Sequence, residues 1–324
     1  MRQQLWTGIG AASAMAILIL DGKTAITGAQ DGIALCLQTV IPSLFPFILL
    51  SILLTNTLLG HAIPLLRPLG RLFHLPSGSE SLLICAFLGG YPVGAQTVSS
   101  LFQNGQLPRS TADRMLTFCN NAGPAFLFGM TAAVFPQAWV PWTLWGIQII
   151  SALLVARLFL RTDIEIPYLS PSSSQRISSV LMTSIRVMAS VCGWVVLFRI
   201  IIAFSKRWFL WLLPNDIQIL ITGLLELSNG CCELPGISSP ELQFLICCGM
   251  LTFGGLCVTM QTLSVTAGLS PRFYIIGKLV QTVFSILLAL TVILKSIIPT
   301  VPFVLLFLFT KMQNRDRIPE TVGV

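Results

Sequence analysis

Leu88-Gly89-Gly90-Tyr91-Pro92-Val93-Gly94-Ala95-Gln96-Thr97-Val98-Ser99-Ser100 lies inside an apolar run, yet it holds three glycines, a proline and a group of small polar side chains. Breakers at that density interrupt a helix, whereas lipid requires every backbone polar group to be paired or to face a cavity. The combination reads as the tip and second arm of a broken, re-entrant membrane helix. Gly89-Gly90 supplies the bend, because glycine accepts positive φ and leaves its N–H approachable. Pro92 has no donor to lose and its fixed φ suits the first turn of the second arm. A helix start of this kind carries roughly half a positive charge on unpaired N–H groups, which suits an anion or a polar head. Beyond it, Gln96 and Ser99 lie three residues apart on one helical face, with Thr97 beside them.

The rest of the chain supports a lipid setting. Of its 324 residues, 54% are hydrophobic and only 10% are charged, with a mean hydropathy of +0.84. Soluble domains carry about 25% charged residues, so a soluble chain of this size would leave its surface uncovered. The expected class is an all-α polytopic membrane protein whose first partner is the lipid bilayer. The net charge of +7 comes from Lys and Arg scattered between apolar runs, which fits the positive-inside bias and excludes nucleic acid as a partner. The nine cysteines fall mostly within apolar runs, the pairs Cys231-Cys232 and Cys247-Cys248 are not CxxC, and only His61 and His74 are present. Neither a metal site nor a disulfide framework is expected. No carboxylate pair and no nucleophile–base spacing stands out, so the chain is not expected to be an enzyme.

Five segments follow from the pattern. Residues 1–39 read as an N-terminal membrane helix, with an apolar run from Leu5 to Leu20, followed by an amphipathic interfacial segment over Thr24–Thr39. Asp21-Gly22-Lys23 stands where a signal peptide would have a small-residue cleavage site, so this helix is expected to be retained. Residues 40–160 form a first unit: a span at Val40–Leu59 with Pro42 and Pro46, the opening stretch, an apolar segment broken at Asn120-Asn121-Ala122-Gly123-Pro124, and a tryptophan-rich span at Ala138–Leu160. Residues 161–179 are a polar linker loop. Residues 180–295 form a second unit, and residues 296–324 a last membrane helix with a charged tail. Lys278 and Lys295 are expected to snorkel toward the headgroups.

The opening stretch has an echo. Gly89/Gly254, Gly90/Gly255, Val93/Val258, Gln96/Gln261, Thr97/Thr262 and Ser99/Ser264 are each 165 residues apart, six identities in eleven positions. With small gaps the match extends to His74-Leu75-Pro76 with Glu233-Leu234-Pro235, and to Pro108-Arg109 with Pro271-Arg272. A duplicated scaffold whose glycines serve close helix packing explains the glycine pairs. It does not explain the repeated Gln-Thr-x-Ser. Paired broken helices mark binding sites at mid-membrane in secondary transporters, and Gln, Thr and Ser offer donors and acceptors that do not ionise, as a neutral polar solute needs.

Two further interruptions join the candidate site. Asn120 and Asn121 at membrane depth require partners, either in a structural clamp or on a substrate cavity. Glu226-Leu227-Ser228-Asn229-Gly230 closes an apolar run on a carboxylate, and an intramembrane carboxylate is a functional hypothesis by default. Glu226 is a candidate to couple H⁺ or Na⁺; no other cofactor is expected. The candidate substrate-binding set is therefore Gly89, Gly90, Gln96, Thr97, Ser99, Asn120, Asn121, Glu226, Ser228, Asn229, Gln261, Thr262 and Ser264.

Phe87–Ala95, Arg114–Pro124 and Leu225–Gly230, taken in order, resemble the sporulation integral membrane protein YlbJ family, of the nucleoside-recognition or Gate domain group. The resemblance covers roughly residues 40 to 295. It implies a bacterial cytoplasmic-membrane protein with a role in spore formation. It also implies a Gate-like fold similar to concentrative nucleoside transporters, with two repeated units, each a re-entrant hairpin plus spanning helices. On that basis the chain is a permease-like transporter or sensor of a small polar solute, nucleoside-related, or else a non-transporting assembly factor of the sporulation membrane. Its further partner is a second copy of itself or another sporulation membrane protein. Copy two replaces Tyr91-Pro92 by Leu256-Cys257, so the two breaks are not expected to act symmetrically. The repeats are inverted if Leu210–Leu227 bends at Pro214 and parallel if it crosses. The resemblance implies the former, and the loop charges favour the latter.

Overall fold

The computed structural model describes residues 2–58, 61, 63–68, 80–160 and 177–302. The polar linker at 161–176, the His74-Leu75-Pro76 part of the repeat and the charged tail lie outside the described residues. Among those described there is no strand. In chain order the helices are α1 (Arg2–Leu20), α2 (Gly22–Leu35), α3 (Ile41–Leu58), α4 (Glu80–Leu88), α5 (Val93–Gln103), α6 (Arg109–Met115), α7 (Pro124–Ala132) and α8 (Trp139–Phe159). They continue as α9 (Ile177–Trp208), α10 (Asn215–Leu225), α11 (Leu227–Glu233), α12 (Pro240–Phe253), α13 (Gly255–Val265) and α14 (Pro271–Leu294).

Five stretches of the described chain are long and apolar enough to cross a membrane: Gly22–Leu54, Trp139–Phe159, Ile177–Trp208, Pro240–Val265 and Pro271–Leu294. The first runs through α2 into α3 by way of a π-helical turn at Cys36–Val40. Thr24–Thr39, expected to lie at the interface as a separate segment, is thus part of one long helix. Its Gly28-x-x-x-Gly32 face meets α9. A Cβ on Gly28 would stand 3.0 Å from the Ile200 backbone and one on Gly32 2.9 Å from that of Val196, the close seam that small residues permit in lipid. Arg199 faces Asp31 and Arg207 faces Asp21 along the same seam.

Between these long helices lie short ones. The helices α4, α5, α10 and α11 have 9, 11, 11 and 7 residues; at about 1.5 Å per residue, none reaches the ~30 Å of a hydrocarbon core. The chain bends at Pro214 and again at Glu226, at the two ends of α10. The bends are local in origin: Pro214 precedes the first turn of α10, and Glu226 adopts extended backbone (φ −144°, ψ 117°) between α10 and α11.

Buried apolar side chains form three clusters. One surrounds α4–α6 and α8, one α7, α8 and α10–α12, and one the inner faces of α3 and α9. The first break contributes to each: Ala95 to the first, Tyr91 to the second, Val93 to the third. Ile276, Leu279 and Val283 on the opposite face of α14 are exposed, as lipid-facing side chains are. The chain is a multi-pass membrane protein.

Candidate functional site

The four interruptions read from the sequence come together. Gly90 (φ 74°) lies so close to the third interruption that a Cβ there would stand 2.9 Å from the Gly123 nitrogen, and one on Gly123 would stand 3.1 Å from the Gly90 Cα. Both positions need glycine because backbone meets backbone. The Tyr91 hydroxyl reaches the second break and donates to the Leu251 carbonyl oxygen at 2.8 Å, with Thr252 O at 3.4 Å. Gly254 and Gly255 (φ 82° and 78°) form that break, and a Cβ on Gly255 would press on the Gly223 and Leu224 carbonyl oxygens at the end of α10. The first break thus touches the second and third, and the second touches the Glu226 bend.

Glu226 is buried and caps α11, its two carboxylate oxygens accepting from Ser228 N at 3.0 Å and Asn229 N at 2.7 Å. Ser228 and Asn229 are buried, and the Asn229 Nδ2 has no partner among the described residues. Gln261 is buried beside them and donates to the Cys257 sulfur at 3.2 Å. Tyr91, Gly123, Glu226, Ser228 and Gln261 line a cavity of about 30 Å³, completed by apolar side chains of α3, α7, α9 and α13. That space suits one water-sized guest.

A second polar centre lies across Tyr91. Asn120 donates to the Thr262 hydroxyl at 2.8 Å and faces Tyr274 Oη at 3.4 Å, while its own Oδ1 is buried without a partner among the described residues. Asn121 Nδ2 donates to Phe118 O, and its Oδ1 accepts from Gln281 Nε2, each at 2.8 Å. Gln148 donates to the Ala122 carbonyl at 2.8 Å. Lys278 is only 1% exposed and turns into this centre, which corrects the expectation that it snorkels.

Other candidate residues are placed differently. Thr97 returns its hydroxyl to Val93 O within α5, and Ser99 is buried but accepts from Gln103. Ser264 is exposed and bonded to Gln261 O, so it does not share the buried face of Gln261. Gln96 buries an Oε1 that has no partner among the described residues. Gly89 is buried in the turn before Gly90. Sequence reasoning missed Lys278, Gln281, Tyr274 and Gln148. A signal existed: Tyr274, Gly277, Lys278, Gln281, Ser285 and Ala289 recur at helical spacing and form the buried face of α14.

Among known proteins, the chain is 24% identical to the sporulation integral membrane protein YlbJ of Bacillus subtilis (strain 168), over 83% of this chain and 78% of that protein. The chain is a relative of YlbJ. No family model matches it, and no solved structure matches it. The similarity to YlbJ extends well beyond the three motifs, over most of both chains.

Proposed function

We propose that this YlbJ relative is a Gate-type protein of the bacterial cytoplasmic membrane that serves in spore formation and binds a small polar solute where its helix breaks meet. The two breaks at Gly89–Pro92 and Gly254–Gly255 are copies of one device, arranged as inverted repeats of re-entrant hairpins. The observation that carries this reading is the convergence of four chain interruptions on a buried cavity lined by Glu226, Ser228 and Gln261. Near these breaks, Gln96 Oε1, Asn120 Oδ1 and Asn229 Nδ2 are buried without partners among the described residues. Buried polar atoms are nearly always paired, so unpaired ones near the helix breaks support a ligand. Uncharged amides and hydroxyls suit a nucleoside-like solute, and the buried Glu226 carboxyl is the proposed carrier of a coupling proton. Transport of a solute that large requires the breaks to part, because the cavity holds about one water.

The test is a thermal-shift screen of the purified protein against nucleosides, nucleobases and their phosphates, followed by uptake of any hit into proteoliposomes. A hit whose effect is lost in the Gln96→Ala, Gln261→Ala double variant supports the reading. No hit, together with normal sporulation of a strain carrying that variant, sinks it. The small cavity favours a second reading, a non-transporting assembly factor of the sporulation membrane. Co-purification of a stable membrane partner, undisturbed by the same double variant, would decide for it.

A further inference from the structure

The second break leaves the Thr252 carbonyl oxygen at the C-terminal end of α12, just before the left-handed Gly254. Lys278, on α14, reaches across to it. The ammonium lies 3.2 Å from Thr252 O, 2.9 Å from Gln281 Oε1 and 3.5 Å from Asn121 Oδ1. It also stands 5.3 Å from the centre of the Tyr91 ring. These groups share one property: each presents its electron-rich side to the same point. The carbonyl sits at the negative end of a helix, the two amides offer oxygen, and the ring offers its face. None is a carboxylate.

The oxygens are held in place. Asn121 Nδ2 is tied to Phe118 O, and Gln281 Nε2 is tied to Asn121 Oδ1 and lies 3.3 Å from Gln148 O. Both amide nitrogens are thereby occupied, which turns both amide oxygens toward the ammonium. Neutral oxygens at an unwound membrane helix are the donors that hard cations take. A charge inside a membrane is costly, and a lysine stem can snorkel, yet Lys278 turns inward to a prepared set of acceptors.

We propose that the Lys278 ammonium is a tethered cation that fills a monovalent-cation site made by Thr252, Asn121, Gln281 and Tyr91, so that the protein binds no free sodium or potassium there. The charge clamps the second break to the third, and it does so whether or not the cavity beside Glu226 takes a solute.

The full-length protein in lipid nanodiscs tests this by thermal unfolding in sodium, potassium and N-methyl-D-glucamine chlorides at equal ionic strength. The unsubstituted protein should unfold at one midpoint in all three. Lys278→Ala should drop by about 5 °C or more in the organic salt, as loss of a charge-assisted cluster implies, and recover saturably with sodium or potassium. Lys278→Met, which fills the volume without a charge, should drop and not recover. Saturable stabilisation by sodium of a protein that retains Lys278, persisting in Glu226→Gln, overturns the proposal. So does a Lys278→Ala variant indifferent to the cation, or a Lys278→Met variant as stable as the original. Should Lys278→Ala not fold, Lys278→Ser repeats the test with an added oxygen ligand. Failure of both to fold in every salt counts against the proposal as well.

Discussion

Tyr91 donates its hydroxyl to the carbonyl oxygen of Leu251 at 2.8 Å, across 160 residues of chain. A side chain of the first break thereby satisfies the end of the helix that leads into the second. Tyr91→Phe keeps the ring and removes the donor. Loss of one buried hydrogen bond costs about 1 kcal/mol, and more if the carbonyl finds no substitute. A lowered unfolding midpoint is expected for the purified variant. Tyr91→Ala should fall further, since it also empties the space of a buried aromatic, at about 3–5 kcal/mol for comparable truncations. Equal midpoints for Tyr91→Phe and the parent would mean that the two breaks are held together by other contacts.

The glycines separate into two classes with opposite expected responses. A Cβ on Gly94 would overlap the Cys119 carbonyl oxygen, and one on Gly277 would overlap the backbone of Thr117. Neither neighbour is a flexible side chain that can move aside, so Gly94→Ala and Gly277→Ala should cost at least the 1–3 kcal/mol or so of an overpacked core. Gly129 and Gly193 sit in helices with nothing among the described residues within 4 Å of an added Cβ. Alanine there should be neutral or gain up to about 1 kcal/mol of helix propensity. Yield and midpoint of the four variants, made side by side, check the contrast.

The breaks were legible because their chemistry is local. Gly90, Gly123 and Gly254 announce themselves by residue type, and the spans by apolar length. Lys278 was not legible as a single charge in an apolar run, because a lysine stem reaches either way and one residue does not say which. Its direction is set by Asn121 and by the end of α12, partners 157 and 26 residues away. Only the polar face it shares with Tyr274 and Gln281 hinted at burial. Thr24–Thr39 misled for a related reason. Asp31 and Gln30 suggest an interface, but the Gly28 and Gly32 face is spoken for by α9, which lies far along the chain.

Glu226 has two separable tasks. Its carboxyl group caps α11 through Ser228 N and Asn229 N, and it lines the cavity with a group that can exchange a proton. Glu226→Ala removes the cap and should cost about 0.5–2 kcal/mol. Glu226→Gln retains one acceptor oxygen and should unfold closer to the parent. If that group couples solute to proton movement, Glu226→Gln loses uptake driven by a pH gradient while keeping its midpoint and its solute-induced shift. Should Glu226→Gln retain full gradient-driven uptake, the carboxylate is a cap and nothing more.

Cys232 offers a test of how the chain sits in the membrane. It is exposed, whereas Cys119, Cys231, Cys247, Cys248 and Cys257 are buried. Exposure alone does not distinguish water from lipid, but its neighbour does. Glu233 pairs with Lys206 at the end of α9, beside Arg207, and two cations with a carboxylate belong at a membrane surface. Arg161 and Arg176 precede α9 and Lys206 and Arg207 close it, so the positive-inside bias is balanced across this helix; the labelling test takes the Lys206 end as the cytoplasmic one. A membrane-impermeant maleimide should therefore label Cys232 in inverted vesicles and leave it unlabelled in intact cells, and Cys232→Ser should remove most of the signal. Labelling of Cys232 from outside intact cells would reverse the orientation, and with it the side from which the cavity beside Glu226 is approached.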